Sequence, residues 1–365
     1  MKKLLTSLLC IAMITVYMPA AVWADDGKTA ENLPAAVDGV VTLDKDYKVS
    51  NLDPTLTYDL KGHTLTYYGK ESIEIGEGQI LTFKDSTASP DQIGNGKIVF
   101  TQKESLVKGD IHPTTGGTVN AFNIQIESPN SVFFPAGDAA AVNVDSCKVS
   151  AGCYCVGTNA GKTENAGVKI TLTNSTFVAQ NADFDNCPVM INVEGSLKVD
   201  NCTITGDRQG VLVRAGEAEI NNSTVINTGK YSGGNEYDDS NWGSGNEVPV
   251  AAIVVGSHNG NYLDEAIVTV IDTVIESQND EIPAIYVDAN ENYSSDLVLT
   301  GIKTQIDGKI VKKDQQKADI TITGGTFSDA SAKDYVPEGT ELKQNEETGK
   351  YELAPASSAV AQVGN

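Results

Sequence analysis

Residues 172–177 read LTNSTF, residues 199–204 VDNCTI and residues 220–225 INNSTV. Each is an apolar residue, a polar one, Asn, a small residue, Thr and an apolar residue again, at spacings of 27 and 21 residues. Recurrence at such a period marks stacked structural units. Working outward, VNAFNI (119–124), VDSCKV (144–149), VIDTVI (270–275), LTGIKT (299–304) and ITGGTF (322–327) extend the series to eight copies. Their starts lie 25, 28, 27, 21, 50, 29 and 23 residues apart, so the 50-residue gap is two periods or one period plus an insertion.

In each copy β-branched and polar residues alternate on both sides of a central position, occupied by Ala121, Ser146, Asn174, Asn201, Asn222, Asp272, Gly301 and Gly324. Asn, Asp and Gly tolerate left-handed dihedrals, so this column reads as a corner between two strands. The next residue is mostly small (Cys147, Ser175, Cys202, Ser223, Thr273), and an apolar side chain returns two positions later in Val149, Phe177, Ile204, Val225, Ile275 and Phe327. Strand, corner, strand and return path in about 25 residues describe one coil of a parallel β-helix, whereas ankyrin and tetratricopeptide repeats need 33 or 34 residues with helical spacing. Successive coils lie about 4.8 Å apart. Corner amides can therefore bond along the stack, which predicts a ladder through Asn174, Asn201 and Asn222.

Ahead of the repeats, Lys2 and Lys3 precede an apolar run at 4–22, closed by VWA, which reads as a secretory signal peptide (1–24) cut before Asp25. The C-terminus carries neither a hydrophobic tail nor an LPxTG-like motif, so the mature chain is expected to be secreted or at the cell surface, with no membrane insertion after cleavage. Loss of two Lys leaves 24 basic against 49 acidic side chains, a formal charge of −25. That charge excludes nucleic acid and anionic membrane as natural partners. The mature chain keeps five cysteines (147, 153, 155, 187, 202), an odd number without zinc-type spacing, so a disulfide framework is not expected. Cys147 and Cys202 share a column with Ser175 between them and read as small buried fillers.

The segments LTYDLKGHTLT (56–66), IGEGQILTFKDST (75–87) and ITGGTFSDASAKDYVPEGTELKQNEETGKYEL (322–353) resemble the secreted and cell-surface right-handed β-helix proteins of gut Firmicutes, within the pectate-lyase-like superfold. The resemblance covers nearly all of the mature chain and is specific for architecture, since this superfold hosts lyases, hydrolases, adhesins and plain stalks. Residue pattern and resemblance together predict an all-β fold, a right-handed single-stranded parallel β-helix with terminal caps. The expected layout is an N-terminal cap at 25–48, the solenoid at 49–329 with an insertion at 227–249, a C-terminal cap at 330–353 and a flexible tail at 354–365.

Catalytic signals are sparse. The two arginines of the chain, Arg208 and Arg214, lie in GDRQGVLVRAG (206–216), where Asp207 and Glu217 suggest solvated ion pairs rather than an anion site. Of the NxD, DD, GHG and RxK groupings sought in hydrolases of the superfold, DD occurs at 25–26 and 238–239, KGHT (61–64) lacks the second Gly and RxK is absent, and His63, His112 and His258 are scattered and read as surface or turn residues. The insertion departs from the repeat. NTGKYSGGNEYDDSNWGSGNEVP (227–249) carries Tyr231, Tyr237, Asp238, Asp239 and Trp242, the last being the only Trp after the signal peptide. Aromatic rings on a polar loop suit stacking on sugars, and the two Asp suit hydroxyls or a calcium ion. These residues predict a non-catalytic binding or adhesion module for glycan or another host or bacterial surface ligand. The alternatives are a polysaccharide lyase or glycoside hydrolase, and a structural spacer.

Overall fold

The computed structural model describes residues 31–102, 108–158, 167–179, 187–229, 249–257, 265–289, 292–313 and 316–356. The expected signal peptide and most of the insertion lie outside these residues. The fold is all-β, 52% strand and 2% helix, which rules out the helical repeat classes. Its strands form large parallel sheets in a solenoid-like stack.

The chain visits three faces in turn. The first starts at Val40–Thr42 and Thr57–Asp59 and continues through Ile80–Lys84, Thr118–Phe122, Ala141–Asp145 and Val168–Thr173, each parallel to the next. The second face follows each corner, from Tyr47–Val49 through Thr176–Ala179, Thr203–Gly206 and Thr224–Asn227 to Thr326–Phe327. Among the described residues each of these two faces has eleven parallel rungs, a stack on the order of 50 Å long at ~4.8 Å per rung. The third face begins at Ile73–Ile75 and ends at Ile310–Lys312, and the long strands Val189–Asp200 and Gln209–Asn221 run from it into the first face without a break.

Register places like over like. On the second face Leu65, Ile98, Ile126, Val149, Phe177, Ile204, Val225, Ile275, Ile306 and Phe327 form one buried row, which contains every apolar return read from the repeat. Burying a side chain of this size contributes about 1.5–3 kcal/mol. The row is the backbone of the core.

The corners are left-handed at Asn123, Ser146, Asn174, Asn201, Asn222, Asp272 and Gly301, with φ between 47° and 89°. Two positions of the column are corrected. Ala121 pairs with Val144 inside the core, so the corner of its copy is Asn123. The positive φ of the last copy falls on Gly325, while Gly324 packs against Gly301. The amide ladder is mixed rather than Asn on Asn throughout: Asn201 Nδ2 donates to Asn174 Oδ1 at 2.8 Å, but Asn174 and Asn222 donate to Asp145 and Asp200. Just inside it a row of hydroxyls runs along the stack with the opposite polarity, the donor lying on the earlier coil. Ser175 Oγ accepts from Cys147 N at 2.9 Å, and Ser223 Oγ accepts from Cys202 N at 3.0 Å. The Cys147 and Cys202 thiols donate to the carbonyls of Asp145 and Asp200, the same two-residue reach that Ser175 and Ser223 use.

The 50-residue gap is one coil. Thr224–Asn227 pairs directly with Val274–Ser277, and Asn222 N donates to Ile271 O at 3.0 Å. At the C-terminal end parallel stacking gives way to a hairpin, Thr340–Gln344 with Tyr351–Pro355, laid antiparallel on Thr326–Phe327. A short turn, Ala330–Tyr335, tucks the buried Ala332 under the last coil, and Ser331 Oγ accepts from Ile310 N.

Candidate functional site

Tyr231, Tyr237, Asp238, Asp239 and Trp242 lie outside the described residues, but both stems of their insertion are in place. Thr228 Oγ1 donates to Asp207 Oδ1 at 2.6 Å, Asn227 Nδ2 donates to the Arg208 carbonyl, and Gln209 Nε2 donates to the Pro249 carbonyl at 2.9 Å. The outgoing stem is tied a second time, since Asn227 Oδ1 accepts from Gly229 N at 2.7 Å and Asn227 O accepts from Gln278 N at 2.9 Å. The corner 207–209 therefore grips the chain where it leaves the solenoid and where it returns. Two features that are separate in the sequence, the arginine segment and the insertion, meet at this corner.

The arginines are not solvated. Arg208 is 3% exposed and Arg214 1%, and Asp207 is committed to Thr228, so the ion pairs expected at the surface are corrected to buried groups. Arg214 sits where the pairing of Val189–Asp200 with Gln209–Asn221 shifts register: Val213 faces Ile191, but Asn192 faces Ala215. Beyond it, Gly256 pairs with Asp288 in the next rung, and Lys313 Nζ comes within 3.9 Å of the fully buried Asp288. Asn192 is held by Thr158, which donates to its Oδ1 at 2.7 Å and accepts from its backbone N–H at 2.8 Å. These groups form a buried polar margin along the third face.

Beside that margin runs a feature the repeat does not announce. Phe134, Tyr154, Cys187, Met190, Leu212, Ala251, Val254 and Tyr286 form a second hydrophobic cluster, distinct from the main core. Met190, Leu212, Val254 and Tyr286 are direct register neighbours, and each flanks an inward residue of the main core row Val189, Val211, Ile253 and Ile285. Across these four rungs both sides of the third face are thus buried. A strand buried on both sides is written as an unbroken apolar run, and PVAAIVV (249–255) and GVLV (210–213) are such runs. That was the available signal.

His112 belongs to the same margin and corrects a surface reading. It is 6% exposed, its Nδ1 lies 2.7 Å from the Phe134 carbonyl, and burial lowers its pKa below the ordinary histidine value. It is a structurally bonded imidazole. His63 remains partly exposed, 3.7 Å from Asp46, and His258 is outside the described residues. None of the five cysteines among the described residues forms a disulfide, and burial pushes Cys147 up to about 12 and Cys202 to about 11, so neither is a nucleophile at neutral pH.

On the outer side of the first face a shallow cavity of about 140 Å3 is lined by Ser196, Lys198, Glu217, Glu219, Ile267 and Thr269. Register sets Ser196 beside Glu217 and Lys198 beside Glu219, and Asn221 Nδ2 donates to Glu219 Oε1 at 2.6 Å. The depression offers hydrogen bonds and one cation to a polar ligand. Among the described residues no three His, Cys, Asp or Glu are grouped to hold a metal, and no helix is long and apolar enough to cross a membrane. The calcium expected at Asp238 and Asp239 concerns residues outside the description. Comparison with family models, curated proteins and solved structures finds no match.

Proposed function

We propose that the chain is an exported, non-catalytic binding or adhesion module at the cell surface, built on a right-handed single-stranded parallel β-helix and directed at glycan. Right-handed travel is what parallel strands joined by crossovers adopt in nearly all folds. The observation that carries the functional reading is the clamp at 207–209. Continuity of the solenoid beneath the insertion and three side-chain bonds to its stems support a presenting role. In this reading Tyr231, Tyr237 and Trp242 stack on sugar faces, and Asp238 and Asp239 bond hydroxyls or hold a calcium ion.

The lyase or hydrolase reading would use Arg208 and Arg214 to meet an anionic polymer. Their burial favours a scaffold role instead. A glycan array probed with the mature protein tests the proposal. A hit should be bound roughly tenfold more weakly by Trp242→Ala, the loss of about 1–2 kcal/mol that stacking on a ring contributes. Unchanged affinity would remove the insertion from the site, and an array without a hit would leave the spacer as the better description.

A further inference from the structure

The outer side of the second face differs from the rest of this acidic surface. Thr176 and Val178, Thr203 and Thr205, and Thr224 and Ile226 point outward from three consecutive rungs and carry no charge. The first face over the same coils bears Lys169, Lys198, Glu217 and Glu219. Going outward from the central rung Thr203–Gly206, the first charges met are Lys148, two rungs towards the N-terminus, and Glu276, two rungs towards the C-terminus. They are opposite in sign and equally distant from the centre. Among the described residues neither has an ion pair, whereas the charges further out pair within the chain: Lys97 with Glu127 at 2.7 Å, and Lys350 with Asp307 at 3.3 Å.

We infer that this face binds a second copy of the same chain, the two solenoids lying antiparallel with their Thr203–Gly206 rungs opposed. A two-fold axis along that rung brings Lys148 of each copy to the rung of the partner's Glu276, so two ion pairs form from groups left single in the monomer. Threonine, valine and isoleucine fill the centre, where no charge has to be desolvated. An isologous arrangement of this kind closes at two copies. Thr203–Gly206 is the seventh of eleven rungs, so nine rungs overlap, a strip about 43 Å long and about 10 Å wide that gives roughly 850 Å2 for the pair, the size of a weak, transient contact. The dimer should therefore be micromolar and sensitive to salt.

Sedimentation equilibrium of the mature protein from about 1 to about 200 µM, at low salt, tests this. The mass should rise from that of one chain to that of two. Lys148→Glu and Glu276→Lys should each hold the protein monomeric over that range, and the double variant, with the charges exchanged, should restore the dimer. Circular dichroism would verify that each variant keeps its β-structure. A wild type that stays monomeric, a dimer indifferent to either substitution, or a double variant that fails to reassociate would each overturn the inference.

Discussion

Replacing Asp110 by Asn should raise stability by about 4 kcal/mol above pH 7 and leave it nearly unchanged near pH 4. Asp110 is 1% exposed at the turn into the third face, and its Oδ2 accepts from Ser128 Oγ at 2.5 Å. Burial dominates over that bond and raises its pKa from 3.8 to about 7. The folded state thus holds a proton that the unfolded chain releases near pH 4. The stability tied to that proton is fully present below about pH 4, declines as pH rises, and is lost once pH passes 7. Asn keeps the shape and hydrogen-bonding capacity without the charge. Urea unfolding of both proteins at several pH values isolates the effect, because the other titrating groups cancel in the difference. A difference that does not vary between pH 4 and pH 8 would show that Asp110 does not carry a raised pKa.

Gly206→Ala should cost about 3 kcal/mol or more, and it should loosen the insertion as well. A Cβ at Gly206 would stand 1.9 Å from the Gln209 carbonyl oxygen and 2.8 Å from Pro188 Cδ, and backbone cannot swing aside as a flexible side chain can. The corner that would have to move carries Asp207, Arg208 and Gln209, the groups that hold Thr228, Asn227 and Pro249. Thermal melting gives the first effect. Limited proteolysis gives the second, as faster cleavage within 230–248 than in the wild type. Gly167→Ala is the control: its φ of +73° makes any side chain strained, but among the described residues no atom lies within 4 Å of the added methyl, so its cost should be about 1 kcal/mol. Equal losses at the two positions would contradict the steric argument.

The coil was legible because each corner imposes a backbone demand that few residues meet. Asn174, Asn201, Asn222 and Asp272 all adopt the left-handed conformation that their column implied. The slip at Ala121 has a physical cause. VNAFNI contains Asn at both 120 and 123, and strand alternation has a period of two, so placing the corner at 121 kept the inward set Val119 and Ala121 on the correct side. The pairing of Ala121 with Val144 and the positive φ of Asn123 separate the two readings.

The site was legible in part. Composition marks the insertion but says nothing about what holds its stems, because the partners of Thr228 and Pro249 lie 21 and 40 residues away. Arg208 and Arg214 were misplaced because arginine beside acids is ordinarily a surface signature, and neither the register shift at Asn192 nor the second apolar cluster is written in the repeat.

We propose that a continuous solenoid presents the insertion as its binding element. The most direct test of this proposal is a glycan array probed in parallel with the mature protein and with a variant in which 230–248 is replaced by a short Gly-Ser link. Loop length affects stability only weakly, so the variant should melt within a few degrees of the wild type. It should lose the array signal that the complete protein gives. A variant that folds and still binds the same glycans, or one that loses its β-structure with the segment, would contradict the account.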